Sequence, residues 1–190
     1  MIKTPTLLLA TACLAFAGLT TSAQAGPQIG LGPAVVFGND DTSLGLDLEA
    51  GFSSRTQQVG SFIGANLLYA GLDRDVFANG INTSADVDYF VLQGIFRLLI
   101  PVTSDGSLSI YGEGGLGATQ VKAQLDRVSR SADDWVFTYS VGAGIDYAFN
   151  EVAGLRAGYH YIGLDRVNAF GSPVSDGNLS AIKVGLLLRF

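Results

Sequence analysis

The chain has 190 residues, 17 acidic and 11 basic, for a formal charge of −6, and a single cysteine. An acidic balance argues against nucleic acid as a partner. One cysteine leaves no room for a disulfide framework.

The first 25 residues read as a secretory signal peptide. Lys3 supplies a short positive start, residues 7–19 an apolar run, and Ala23-Gln24-Ala25 a small-x-small cleavage site. The run is too short for a spanning helix. Cys13 lacks the leucine expected three positions before a lipidated cysteine, so cleavage after Ala25 is the expectation. Cleavage would leave residues 26–190 with ten basic residues against 17 acidic, a charge of −7, and no cysteine. An exported, cysteine-free chain points to a bacterial envelope protein without disulfide or thiol chemistry.

The exported part alternates between apolar and polar residues, as strands with two unlike faces do. Residues 28–37 place Ile29, Leu31, Val35 and Phe37 on one face. Residues 43–52 set Leu44, Leu46, Leu48, Ala50 and Phe52 against Ser43, Asp47 and Glu49. Residues 59–72 put Ile63, Ala65, Leu67 and Tyr69 opposite Gly60, Gly64 and Asn66. Residues 88–100 give Phe90, Leu92, Phe96, Leu98 and Ile100 against Gln93 and Arg97. Residues 107–119 give Leu108, Ile110 and Leu116 against Tyr111 and Glu113. Residues 135–149 oppose Phe137, Tyr139, Val141, Ile145 and Tyr147 to Thr138, Ser140 and Asp146. Residues 153–163 oppose Leu155, Ala157, Tyr159 and Tyr161 to Arg156 and His160. Residues 181–190 oppose Ile182, Val184, Leu186, Leu188 and Phe190 to Lys183 and Arg189. The pattern predicts eight strands.

Connections are tight at 53–58, 101–106 and 150–151, longer and polar at 73–87, 120–134 and 164–178, and short at 38–42. An even strand number with short turns on one side and longer loops on the other is the pattern of an outer-membrane β-barrel. Aromatic residues fall into two groups at the strand ends: Phe37, Tyr69, Phe90, Trp135, Phe137 and Tyr161, and Phe52, Tyr147, Phe149 and Phe190. Two aromatic belts suit two headgroup levels. A soluble β-sandwich or barrel also alternates, but needs neither the belts nor an outward apolar set on every strand. The fold class is therefore all-β: an antiparallel up-and-down eight-stranded transmembrane barrel over residues 26–190, narrow enough for side chains to fill its interior.

The inward positions carry Asp47, Glu49, Glu113 and Asp146 with Arg97, Arg156, Lys183 and Arg189. Charges withdrawn from water must be paired, so these eight are expected to form a salt-bridge network, with Arg97, Glu113, Asp146 and Arg156 close together. One reading makes the network a plug that fixes strand register. The other makes it a gate whose pairs swap to admit ions or very small solutes.

Catalytic and metal chemistry find little support. The single histidine, His160, is followed by Tyr161-Ile162, without the serine two residues away that marks lipid A deacylases. A triad with Ser140 and Asp146 can be drawn, but an inward His160 would not meet lipid. No metal-ligand spacing appears, no cofactor is expected, and the glycines at 112–117 and 142–144 lie within strands, not phosphate loops. Polar loop residues, among them Asp73, Arg74, Asp75, Arg127, Arg130, Asp133 and Asp134, are where a surface ligand or lipopolysaccharide would be met.

The signal peptide, the eight alternating strands and the terminal Phe190 together resemble the OmpA-like and OmpX-like membrane domains, the porin family of opacity-like surface proteins. The resemblance spans residues 26–190. It implies an outer-membrane location in contact with lipid and lipopolysaccharide. It implies a structural or surface role, and no peptidoglycan-binding half after Phe190. It also implies that Ile182, Val184, Leu186, Leu188 and Phe190 form the C-terminal signal read by the barrel-assembly machinery.

Overall fold

The computed structural model describes residues 24–38, 41–56, 58–78, 81–125, 131–165, 168–169, 172–173 and 178–190. Alternating apolar residues become long strands here: β1 (Gln24–Phe37), β2 (Thr42–Arg55), β3 (Gly60–Ala78), β4 (Ile81–Pro101), β5 (Leu108–Leu125), β6 (Ser131–Ala148) and β7 (Ala153–Leu164). Two short strands, β8 (Asn168–Ala169) and β9 (Ser172–Pro173), pair with each other before β10 (Leu179–Arg189). The eight long strands close into one barrel in the order β1-β10-β7-β6-β5-β4-β3-β2, each antiparallel to its neighbours.

Burial is inverted relative to a water-soluble protein. Leu44 is 73% exposed, Phe52 66% and Leu186 62%, whereas Asp146 is 0% and Arg97 2% exposed. An apolar exterior around a charged interior is stable only in lipid, where water cannot penalise the outer face. Closure leaves no sheet edge within the barrel wall, so backbone groups find partners in adjacent strands. Exposed Tyr69, Trp135 and Phe137 lie towards one rim, and exposed Phe52, Tyr147, Phe149 and Phe190 towards the other. We call the end holding Gln24 and Arg189 proximal and the opposite end distal.

The proximal connections are tight. Between β4 and β5, the Gly106 N–H donates to Thr103 O at 3.0 Å, and Gly106 takes a φ of 71°, which its lack of a Cβ permits. Asp105 accepts from the Ser107 N–H (3.1 Å) and hydroxyl (2.9 Å). Hydrogen bonds from Thr103 and Ser107 lower the Asp105 carboxyl to about 2.

Several strand ends differ from the sequence expectation. Residues 73–87 and 120–134 were expected to be loops; instead β3 runs to Ala78, β4 starts at Ile81, β5 runs to Leu125 and β6 starts at Ser131. Beyond the lipid both faces of a strand meet water, so apolar–polar alternation disappears while pairing continues, as from Leu72↔Val87 to Ala78↔Ile81. β2 likewise continues to Arg55, into a stretch expected to turn. Segment 164–178 contains the β8–β9 hairpin. Residues 1–23, including Ala23 of the expected cleavage site, lie outside the described residues, and Gln24 and Ala25 open β1. Arg127 and Arg130 lie outside them too, and the side chains of Asp73, Arg74, Asp75 and Asp133 are not described.

Candidate functional site

The alternation that turns apolar residues to lipid turns every second residue inward, and those side chains line the lumen in two layers of different chemistry. The proximal and middle layer is charged. Cross-strand register places Arg97 of β4 opposite Glu113 of β5, and Asp146 of β6 opposite Arg156 of β7. Arg97 pairs with Glu113 and, at 2.7 Å, with Glu49. Glu49 also pairs with Arg156, which reaches Asp146 at 2.7 Å. Asp146 receives two more guanidinium groups, from Arg55 (2.7 Å) and Arg189 (2.8 Å). Lys183 bonds Asp47 at 2.7 Å and Asn66 Oδ1 at 2.9 Å, and Asn66 Nδ2 donates back to Asp47 at 2.8 Å. Gln28 tethers the group by donating to Glu49 (3.2 Å) and accepting from Arg189 (3.4 Å).

All eight charged residues expected at inward positions are thus in ion pairs, six of them linked through shared partners and Lys183 paired apart with Asp47. Arg55 is an addition. It lies an even number of residues from Asp47 and Glu49, so a β2 extended by three residues would have revealed it. Aromatic faces complete the layer: the Arg97 guanidinium sits 5.0 Å from the ring centres of both Phe62 and Tyr111, and that of Arg156 sits 5.5 Å from Tyr111.

His160, 2% exposed, joins this layer. Its Nε2 lies 3.2 Å from the Tyr111 hydroxyl, and its Nδ1 is 3.3 Å from Glu113 Oε1, out of line for a hydrogen bond. A Cβ at Gly142 would collide with the His160 ring and one at Gly158 with the Tyr111 hydroxyl, so these two glycines make room for the pair. The drawn triad is not assembled. Ser140 donates to Gln93 at 2.9 Å, and Asp146 is held by three arginines. Among the described residues no cluster of three or more His, Cys, Asp or Glu side chains is placed to hold a metal.

The distal layer is apolar, which the inward polar positions did not foretell. Val36, Leu68, Leu72, Val91, Ile162 and Leu179, each at most 2% exposed, form one hydrophobic cluster with Tyr89, Val121, Val136 and their neighbours. Its polar feature is the buried Thr119–Thr138 hydroxyl pair, 2.6 Å apart, whose members satisfy each other. Inside the charged layer a cavity of ≈ 20 Å³ remains, lined by residues that include Asp47, Glu49, Arg97, Arg156, His160 and Lys183.

A closed eight-stranded barrel with apolar side chains outside, paired charges inside and aromatic residues at both rims defines the class of small outer-membrane barrels. The chain belongs to the outer membrane protein beta-barrel domain family, whose model matches residues 6–190. No curated protein sequence matches it. Its fold is similar to that of Neisserial surface protein A, with a TM-score of 0.54 at 13% identity over 90% of this chain and 100% of that one. Ail of Yersinia pestis, solved with the heparin analogue sucrose octasulfate, matches with a TM-score of 0.52 at 16% identity over 90% and 100%. OprG of Pseudomonas aeruginosa gives a TM-score of 0.50 at 18% identity over 87% and 96%. The chain is an outer-membrane protein.

Proposed function

We propose that this protein is a structural and surface barrel of the outer membrane whose lumen is sealed. The observation that carries this reading is the pair of successive fillings, one of charge and one of hydrocarbon, with a cavity of ≈ 20 Å³ between side chains in the charged layer. A cavity that small admits about one water. A gate made by swapping salt-bridge partners would still leave Val36, Leu68 and Val91 across an ion's path, and hydrocarbon of this kind offers an ion no ligands. The arginines and carboxylates then serve as register locks: some join neighbouring strands, as Arg97 and Glu113 do, and others strands distant in sequence, as Arg156 joins β7 to β2 through Glu49.

In this reading residues 1–25 are the export signal, and cleavage after Ala25 leaves the rest of β1 intact. Ile182, Val184, Leu186, Leu188 and Phe190, all turned to lipid, form the face that the assembly machinery reads. The distal rim, where the β3–β4 and β5–β6 hairpins rise past the aromatic belt, faces outward. It is the place for contact with lipopolysaccharide or an unidentified surface ligand. We assign no catalytic step to His160, Ser140 or Asp146. Refolding the chain into a planar bilayer tests the seal: confirmed insertion without current supports it, and a narrow ion channel would give discrete conductance steps.

A further inference from the structure

The geometry points to a binding site for one small monovalent anion, of the size and charge of chloride, in the cavity of the charged layer. Its volume, ≈ 20 Å³, suits a guest about as large as one water. Four buried side-chain polar atoms among the described residues have no hydrogen-bond partner: Gln93 Nε2, Arg97 Nε, Arg156 Nε and His160 Nδ1. Three of the four belong to residues that line this cavity, and those residues are 2%, 6% and 2% exposed. An arginine Nε–H can only donate, and a buried donor without an acceptor is destabilising. A guest that satisfies these arginine atoms must be an acceptor.

Charge selects further. The cavity lining holds three cations, Arg97, Arg156 and Lys183, against two carboxylates, Asp47 and Glu49. Over the whole layer, Arg55, Arg97, Arg156, Lys183 and Arg189 face Asp47, Glu49, Glu113 and Asp146, five against four. One monovalent anion neutralises both sets. A metal cation is excluded by the sign of the balance and by the donors, and an organic carboxylate by size. Water accepts hydrogen bonds but leaves the excess charge in place. This inference goes beyond the structural role, because an ion held among the charged side chains neither requires nor produces conduction.

The test uses the full chain refolded in detergent micelles, with thermal unfolding followed by loss of the compact gel band. Sodium gluconate, whose anion exceeds the cavity, is replaced by sodium chloride at fixed ionic strength. The expected result is a saturable rise in unfolding temperature of about 2–4 °C. Lys183→Gln should abolish the rise, and Asp47→Asn should bring its midpoint to a several-fold lower chloride concentration. Bromide-soaked crystals should show an anomalous peak between Arg97, Arg156 and Lys183. Should Lys183→Gln fail to give the compact band, Asp47→Asn and the bromide peak still decide. Superimposed chloride and gluconate curves, or a water with no anomalous signal in the cavity, would overturn the proposal.

Discussion

In the proximal part of the lumen, Arg97, Arg156, Asp146 and Glu49 bury charge; in the distal part, Leu68, Leu72, Val91 and Ile162 bury hydrocarbon. The two fillings should fail differently. A buried ion network contributes little net stability when complete, since desolvation offsets its Coulombic gain, but losing one partner leaves an uncompensated charge in a medium of low dielectric. A hydrocarbon filling loses stability in proportion to the volume removed. The charged layer thus specifies which strands meet, while the apolar layer supplies graded cohesion.

The largest effect is expected at the charged layer's hub. Asp146→Asn removes a fully buried carboxylate from Arg55, Arg156 and Arg189, leaving, among the described residues, only Arg156 with another carboxylate (Glu49), and should cost about 3–5 kcal/mol. A shift in the urea midpoint, read from the fluorescence of Trp135, would show it. A midpoint like that of the parent would mean that the arginines reach solvent and the hub is not a hub. In the apolar layer, Leu68→Ala should cost about 2–5 kcal/mol through transfer and cavity terms. The same urea titration measures it, and the variant should insert without current because the charged layer remains closed. Thr119 and Thr138 sharpen the contrast. Thr138→Val leaves the buried Thr119 hydroxyl unpaired and should cost about 1–3 kcal/mol, Thr119→Val leaves Thr138 its 3.4 Å bond to Val136 O and should cost less, and the double change should be near neutral. A double-mutant cycle separates the two cases. At the proximal rim, outside both layers, the Asp105 carboxyl should titrate near pH 2 by NMR. Its pKa is depressed in the folded protein, so its contribution to stability is present above the ordinary carboxylate range and lost as pH falls through about 2. An ordinary midpoint near 4 would remove the Thr103 and Ser107 hydrogen bonds from the account.

How much of this was legible depended on whether the two faces of a strand differ. In residues 43–52 a leucine-rich face opposes Asp47 and Glu49, and strand, face and lumen charge follow from the sequence alone. In β4 the run from Phe90 to Ile100 is apolar on both faces, because Val91, Ile95 and Leu99 turn inward while Leu92, Leu98 and Ile100 meet lipid. Alternation cannot sort two apolar faces, so Gln93 and Arg97 stood out and the distal hydrocarbon layer stayed hidden. Arg55 was hidden for another reason: turn-like neighbours obscured a strand that continues past the lipid. The partners of His160 were illegible as well, since Tyr111 and Glu113 reach it across the lumen from β5, a neighbourhood set by closure of the barrel and not by spacing along the chain.

The central claim, that the lumen is sealed twice, is tested most directly by single-channel recording. The refolded chain, its insertion confirmed by the band shift between unheated and boiled samples, would be compared with Arg97→Ala and with Arg97→Ala combined with Leu68→Ala and Val91→Ala. The account predicts silence from the parent and from Arg97→Ala, because the apolar layer alone still seals, and steps from the combined variant only. Discrete steps from the parent chain that grow or vanish with Arg97→Ala would contradict it and make the charge network a gate.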